Sequence, residues 1–182
     1  PVGASLGNSW RTGPDDTDWP GILRNIDIMA GLARYAGPGG WNDPCLLLSS
    51  CAAVEGAACP EGGRRVTEAQ SRAQFSMWAV LAAPLLISGS IANMSGPDLD
   101  TYSNKEVIAV SQDPLGLQGS RLVGADLGPG SANVWGRRLA GGDAALVFIN
   151  SGKAAADVAC GAACFQALGF GPAERIAARD LW

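Results

Sequence analysis

The segment Asn8-Ser9-Trp10-Arg11-Thr12-Gly13-Pro14-Asp15-Asp16 sets a guanidinium four residues ahead of a carboxylate, in a stretch whose Gly and Pro mark a loop. A second segment, Ala36-Gly37-Pro38-Gly39-Gly40-Trp41-Asn42-Asp43-Pro44, is a Gly-rich turn that runs into a Trp-Asn-Asp cluster. Carboxylates, a guanidinium and indole faces are the groups that handle a sugar ring. Hydrolysis of a glycosidic bond uses two carboxyl groups: one protonates the leaving oxygen, the other attacks the anomeric carbon or activates water. Residues 1–9 read as the tail of a strand entering the first loop, and a short strand is read over 40–42; Asp15 and Asp43, each just after one of them, are candidates for such carboxylates. Arg11 is a candidate donor to sugar hydroxyls, and Trp10 and Trp41 are candidate stacking surfaces. Each has a plainer alternative. Asp15 and Asp16 also fit as N-cap groups of a helix, Asp43 as an acceptor for backbone amides of its own turn, and the tryptophans as core residues. Gly39-Gly40 lacks the spacings of phosphate-binding loops.

The elements that must position these residues follow from periodicity. Asp16-Thr17-Asp18 offers N-cap groups to a helix from about residue 19 to 35, in which Trp19, Ile22, Leu23, Ile26, Met29, Ala30 and Ala33 follow helical spacing. Gly37-Pro38-Gly39-Gly40 ends it, and a short strand over 40–42 follows. Residues 46–65 read as an Ala/Gly-rich loop. Residues 67–82 read as a helix that buries Ala69, Ala73, Phe75, Met77, Trp78 and Leu81. Residues 84–88 read as a parallel strand apolar on both faces, and 98–103 and 105–112 as short helices. This alternation is that of βα units. After residue 117 it stops. Residues 131–138 and 144–150 are strands joined by Ala140-Gly141-Gly142-Asp143, a hairpin signal, and 156–165 adds another strand. The fold class is α/β followed by all-β, with a domain boundary near 117–121.

Composition narrows the chemistry. Of 182 residues, 47% are apolar and 16% charged, with a net charge of −4, which argues against nucleic acid and anionic membrane as partners. There is no histidine, so Ser-His-Asp and Cys-His catalysis and His-ligated metal sites are excluded within the chain. The longest apolar run, 77–88, is too short to span a bilayer and contains Pro84. Five cysteines, at 45, 51, 59, 160 and 164, include no C-x-x-C pair, which argues against a zinc ribbon and favours disulfides, the odd cysteine being unpaired or paired with a segment outside these residues. Asn93-Met94-Ser95 is a glycosylation sequon at Asn93, in keeping with a secretory route.

The motifs taken together carry a resemblance. Gly7-Asn8-Ser9-Trp10-Arg11-Thr12, the run from Tyr35 to Pro44, Phe75-Ser76-Met77-Trp78-Ala79 with Ala83-Pro84-Leu85-Leu86-Ile87, Asn104-Lys105-Glu106-Val107-Ile108-Ala109-Val110 and Gln112-Asp113-Pro114-Leu115-Gly116 occur in an order that resembles family 27 α-galactosidases, the melibiases. The resemblance covers roughly residues 7–120. It implies a TIM (β/α)8 barrel followed by an antiparallel β-sandwich domain, of which residues 1–118 would be the C-terminal part of the barrel and 119–182 part of the β-domain. It implies retaining hydrolysis of terminal α-linked galactose from oligosaccharides, glycolipids or galactomannans, without metal or organic cofactor. Asp15 matches the acid/base and Arg11 the arginine that binds sugar hydroxyls. The family nucleophile lies on an earlier strand, so these 182 residues alone are expected to be inactive. Cys160 and Cys164 resemble a short disulfide loop of the family's C-terminal domain. The family usually has an aspartate where this chain has Cys45, and a shorter loop than 46–65. The expected partner is an α-galactoside, with no nucleic acid or membrane, and a homodimer of the complete protein stays open. The expected location is secreted, in the cell wall, or in an acidic vacuolar or lysosomal compartment. Rival activities on this scaffold are α-N-acetylgalactosaminidase and β-L-arabinopyranosidase; a rival of another class is a galactose-binding module without catalysis.

Overall fold

The computed structural model describes residues 2–49, 66–88 and 91–182, apart from the side chain of Asn93. The expectations for Cys51 and Cys59, for the loop over 50–65 and for the Asn93 side chain therefore lie outside the described residues. After a short helix α1 (Gly3–Leu6), the elements are β1 (Ser9–Arg11), α2 (Trp19–Met29), β2 (Trp41–Asp43), β3 (Leu47–Leu48), α3 (Glu68–Val80), β4 (Ile87–Ser88), α4 (Gly96–Tyr102), α5 (Lys105–Ser111), β5 (Ser120–Val123), β6 (Ala132–Arg138), β7 (Ala144–Asn150) and α6 (Ala162–Ala167).

The first strands pair in parallel. Ser9, Trp10 and Arg11 stand opposite Trp41, Asn42 and Asp43, and Leu47-Leu48 opposite Ile87-Ser88. Helices α2 and α3 supply the core against them. In α2, Ile22, Leu23, Ile26 and Met29 are buried along one stripe, as the sequence spacing requires. In α3 the buried face holds Phe75, Met77 and Trp78, together with two polar residues, Ser71 and Gln74. Ala69 was expected on that face but is exposed; it lies in the first turn, before the helix meets the core.

Local signals account for the helix starts. Asp18 caps α2 by accepting from the Gly21 N–H, and a Pro sits in its first turn. Thr67 and Gln70 form a reciprocal capping box on α3. Ser95 caps α4 and Asn104 caps α5.

Five elements differ from expectation. Leu47-Leu48, read as part of the loop over 46–65, form β3, because both residues are buried and pair with Ile87-Ser88. Residues 1–9, read as the tail of a strand, hold helix α1 instead, where the Val2 and Gly3 carbonyls accept from the Ser5 and Gly7 N–H groups, and the strand is confined to Ser9–Arg11. The helix predicted to reach residue 35 stops at Met29 and resumes as a 3-10 turn over Ala33–Tyr35. Gly31 weakens it, and the carbonyls of Met29 and Leu32 accept from Gln118 Nε2 and Asn42 Nδ2, each at 2.8 Å. The strand predicted over 84–88 shortens to β4, and Leu86 is 52% exposed, so it is not apolar and buried on both faces. It pairs with β3 on one side and with no strand on the other among the described residues. The strand predicted over 156–165 is absent: Cys160 and Cys164 are joined by a disulfide at the start of α6. Four residues of strand would separate their Cα atoms by about 13 Å, whereas a helical turn brings them to 5.4 Å.

The remaining sheet has the order β5-β6-β7, with β6 and β7 in antiparallel register from Ala132↔Asn150 to Arg138↔Ala144. Its hairpin turn holds Gly141 and Gly142 at positive φ, a conformation open to glycine without strain. Trp135 and Ile149 join the same buried cluster as Ile22, Trp78 and Val80. Asp27 of α2 pairs with Arg121 of β5 and accepts from the Leu127 N–H. No helix among the described residues is long and apolar enough to cross a membrane.

The small Cys160–Cys164 ring gives a modest stability prediction. Loop-closure entropy for a ring of this size is about 2 kcal/mol. Replacing both cysteines by serine should lower the unfolding free energy measured in urea by that amount, and reductant should then leave the variant's midpoint unmoved.

Candidate active site

The loop between β1 and α2 is held on both sides. At its start, the N–H and hydroxyl of Thr12 donate to the Asp43 carbonyl at 2.9 and 3.1 Å. Further on, Asn25 Nδ2 donates to the Pro14 carbonyl at 2.9 Å and Arg24 to the Asp15 carbonyl at 3.2 Å. The two adjacent aspartates in this loop then part. Asp15 points outward, its side chain 77% exposed, and accepts from Arg11 Nη2 at 2.6 Å. Asp16 is fully buried and accepts from Gln74 Nε2 at 3.1 Å. The helix cap is Asp18, so Asp15 is not engaged in capping.

Arg11 and Asp43 are register partners in the parallel pair, which sets them on the same side of the strands. Burial works against the charge on Arg11, but Cys45, Asp15 and Asp43 together outweigh it and raise its pKa. Burial also raises the pKa of Asp43, against the opposing pull of Arg11 and of the Cys45 N–H. That N–H contact is the turn interaction that was the plainer reading of Asp43. Its Oδ1, however, is buried without a hydrogen-bond partner. Arg11, Asp15 and Asp43 are thus brought together.

The tryptophans are placed elsewhere. Trp10 faces away from Arg11 along the strand, and its indole N–H donates to Asn42 Oδ1 at 2.6 Å. Its ring fills the space beside Gly40, where an added Cβ would come within 2.8 Å of it. Trp41 sits two residues before Asp43 and lines a cavity of about 520 Å³ with Pro38, Ala83, Pro84, Leu85 and Asp113, which does not include Arg11 or Asp15. No group of three or more His, Cys, Asp or Glu among the described residues is placed to hold a metal ion.

An exposed carboxylate at the end of a parallel strand, hydrogen-bonded to a half-exposed guanidinium, can exchange a proton with a bound hydroxyl or ether oxygen while the arginine holds a neighbouring hydroxyl. The model of the family described as α-galactosidase A matches residues 4–113, well over half of the chain. The chain belongs to the α-galactosidase family. A second model, for the α-galactosidase C-terminal β-sandwich domain, matches residues 129–182. Among relatives of the α-galactosidase family, the α-galactosidase of rice (Oryza sativa subsp. japonica) is 38% identical over 97% of this chain and 38% of its own length. α-Galactosidase 3 of Arabidopsis thaliana is 36% identical over 97% of this chain and 37% of its own. The solved structure of an α-galactosidase from Saccharomyces cerevisiae with raffinose superposes with a TM-score of 0.62 at 25% identity, over 79% of this chain and 35% of that one. The chain therefore spans less than two fifths of the length of the relatives named here.

Two residues that brace this candidate site were not expected from the sequence. Gln74 bonds Asp16, accepts from the Leu48 N–H at 2.8 Å and donates to the Leu46 carbonyl at 3.1 Å, fixing the loop against β3. A glutamine beside Phe75, on the apolar face of a helix, is the signal that would have found it. Gln118 is the other. Its Oε1 accepts from Asn42 Nδ2 at 2.8 Å and so braces the Trp10–Asn42 pair from behind.

Proposed function

We propose that this chain forms the acid/base side of a retaining α-galactosidase that hydrolyses terminal α-linked galactose in oligosaccharides, glycolipids or galactomannans. One observation carries the reading: of two adjacent aspartates, Asp16 is buried against Gln74, while Asp15 is left open and paired to Arg11 at 2.6 Å. Residues 1–118 are then the C-terminal part of a (β/α)8 barrel, and 119–182 part of the antiparallel β-domain. In such barrels the chemistry sits on loops that follow the strands, which is where Asp15 lies after β1.

In this reading Asp15 donates a proton to the glycosidic oxygen as the bond to the anomeric carbon breaks. It then takes a proton from the water that releases the sugar. Arg11 holds a sugar hydroxyl beside it, and the open Asp43 oxygen is a further acceptor. The nucleophilic carboxylate comes from elsewhere in the complete barrel. The Cys160–Cys164 disulfide agrees with a secreted, cell-wall, vacuolar or lysosomal location.

The test is turnover by the protein carrying the complete barrel, on p-nitrophenyl α-D-galactopyranoside, α-N-acetylgalactosaminide and β-L-arabinopyranoside. The galactoside should exceed the other two by about tenfold or more, the scale set by a few polar contacts around one substituent. A lead for either of the others reassigns the sugar, and galactose binding without turnover of any substrate overturns the catalytic reading.

A further inference from the structure

We infer that Cys45 is a positioning residue, which holds the Arg11 guanidinium against Asp15 through a sulfur that carries no charge. The inference rests on the reading of Asp15 as the acid/base. Cys45 is 1% exposed and is the free cysteine among the described residues. Its Sγ accepts from Arg11 Nη2, the same nitrogen that donates to Asp15 Oδ1 at 2.6 Å. The Asp16 N–H also donates to the sulfur, at 3.4 Å.

The sulfur is held from behind by α3. The indole N–H of Trp78 donates to the Cys45 carbonyl at 2.8 Å, and Gln74 donates to the next carbonyl, that of Leu46. Gln74 and Trp78 are four residues apart, on one buried face of the helix. A rigid core helix therefore fixes the sulfur, and the sulfur fixes one side of the guanidinium.

The charges that face Arg11 decide what this arrangement does. They are Asp15 at the loop tip, Asp43 across the strand pair, and Cys45 itself, with Asp16 behind the sulfur and Arg24 on the Asp15 backbone carbonyl. Burial, with Asp16 next to it, pushes the Cys45 thiol up, so it is neutral at the pH of an acidic compartment. A neutral acceptor at position 45 leaves the Asp15 carboxyl as the acidic partner within hydrogen-bond reach of Arg11 among the described contacts. A carboxylate at position 45 would draw the guanidinium away from Asp15 and add a like charge beside it. Both effects favour the protonated form of Asp15.

The pair C45D and C45N separates charge from shape. The measurement is the pH profile of kcat/KM on p-nitrophenyl α-D-galactopyranoside, with the complete protein, whose basic limb reports the acid in the free enzyme. The basic limb should move up by about one pH unit in C45D and hold its position in C45N. C45A, which has no acceptor, should lose about tenfold in kcat/KM, with C45S recovering most of that loss, the scale of one hydrogen bond to a charged group. Equal limbs in C45D and C45N, together with a C45A value equal to that of wild type, overturn the inference. Should C45D fail to fold, the order C45A below C45S decides alone, because a sulfur that only fills space gives alanine and serine the same KM and kcat. Asp15→Asn run alongside keeps the two readings apart: full activity there removes the acid/base assignment, whatever position 45 does.

Discussion

Asp15→Asn in the complete protein is expected to lower kcat on raffinose-like galactosides by about 10²–10⁴-fold, the usual contribution of one positioned acid/base. The amide keeps the shape and can still accept from Arg11, so folding and sugar binding should change little. The loss is expected to depend on the leaving group. An alkoxide leaves only when protonated, so natural oligosaccharides take the full effect. A dinitrophenolate needs little protonation, so formation of the glycosyl-enzyme should stay fast on that substrate and the second step should become limiting. That step needs a base for water but none for a small anion. Azide should therefore restore turnover of the dinitrophenyl galactoside by Asp15→Asn and give a galactosyl azide. Wild-type rates on both leaving groups, with no response to azide, would remove Asp15 from the mechanism. Asp16→Asn makes the contrast. Asp16 is fully buried against Gln74, so its loss should appear as stability, about 1–3 kcal/mol for a disturbed buried contact, and not in the leaving-group dependence.

The site was legible where local chemistry determines it. Arg11 and Asp15, four residues apart in a Gly-Pro loop, meet at 2.6 Å in the structure. The start and buried stripe of helix α2 and the hairpin of β6 and β7 follow from periodicity and turn residues. Legibility failed where distant partners decide. Nothing near residue 30 announces that Met29 gives its carbonyl to Gln118, which is 89 positions away. The stretch from 156 to 165 follows two strands and reads as a third, yet a covalent link between Cys160 and Cys164 goes with a helical turn. Trp10 looks the same in sequence whether it stacks on a sugar or donates to Asn42; the register of β1 against β2 decides, and register belongs to the sheet. Cys45 stood out as a departure from the family pattern, but its role needs the sulfur and Nη2 of Arg11 to be seen in contact.

Trp78→Ala is expected to cause the largest loss of stability of any single change considered. The indole is fully buried in the cluster that joins α2, α3, β3 and the β5-β6-β7 sheet. Truncating such a side chain costs about 3–5 kcal/mol through lost transfer energy and the cavity left behind. Its N–H is also the donor to the Cys45 carbonyl at 2.8 Å, and leaving that buried acceptor unpaired costs about 1–3 kcal/mol more. Against a total of about 5–15 kcal/mol for a typical domain, the alanine variant should be largely unfolded at 37 °C. In urea its midpoint should fall steeply, with the slope of the transition unchanged. A loss below about 1 kcal/mol would mean that the cluster does not close around this ring. Trp78→Phe divides the two contributions. It fills most of the volume but has no donor, so it should fold, lose about 1–3 kcal/mol, and leave the Cys45 carbonyl free to shift. If Cys45 positions Arg11, that shift reaches the guanidinium. The folded Phe variant should then show a raised KM for the galactoside, while a ring that serves packing alone would leave KM at the wild-type value.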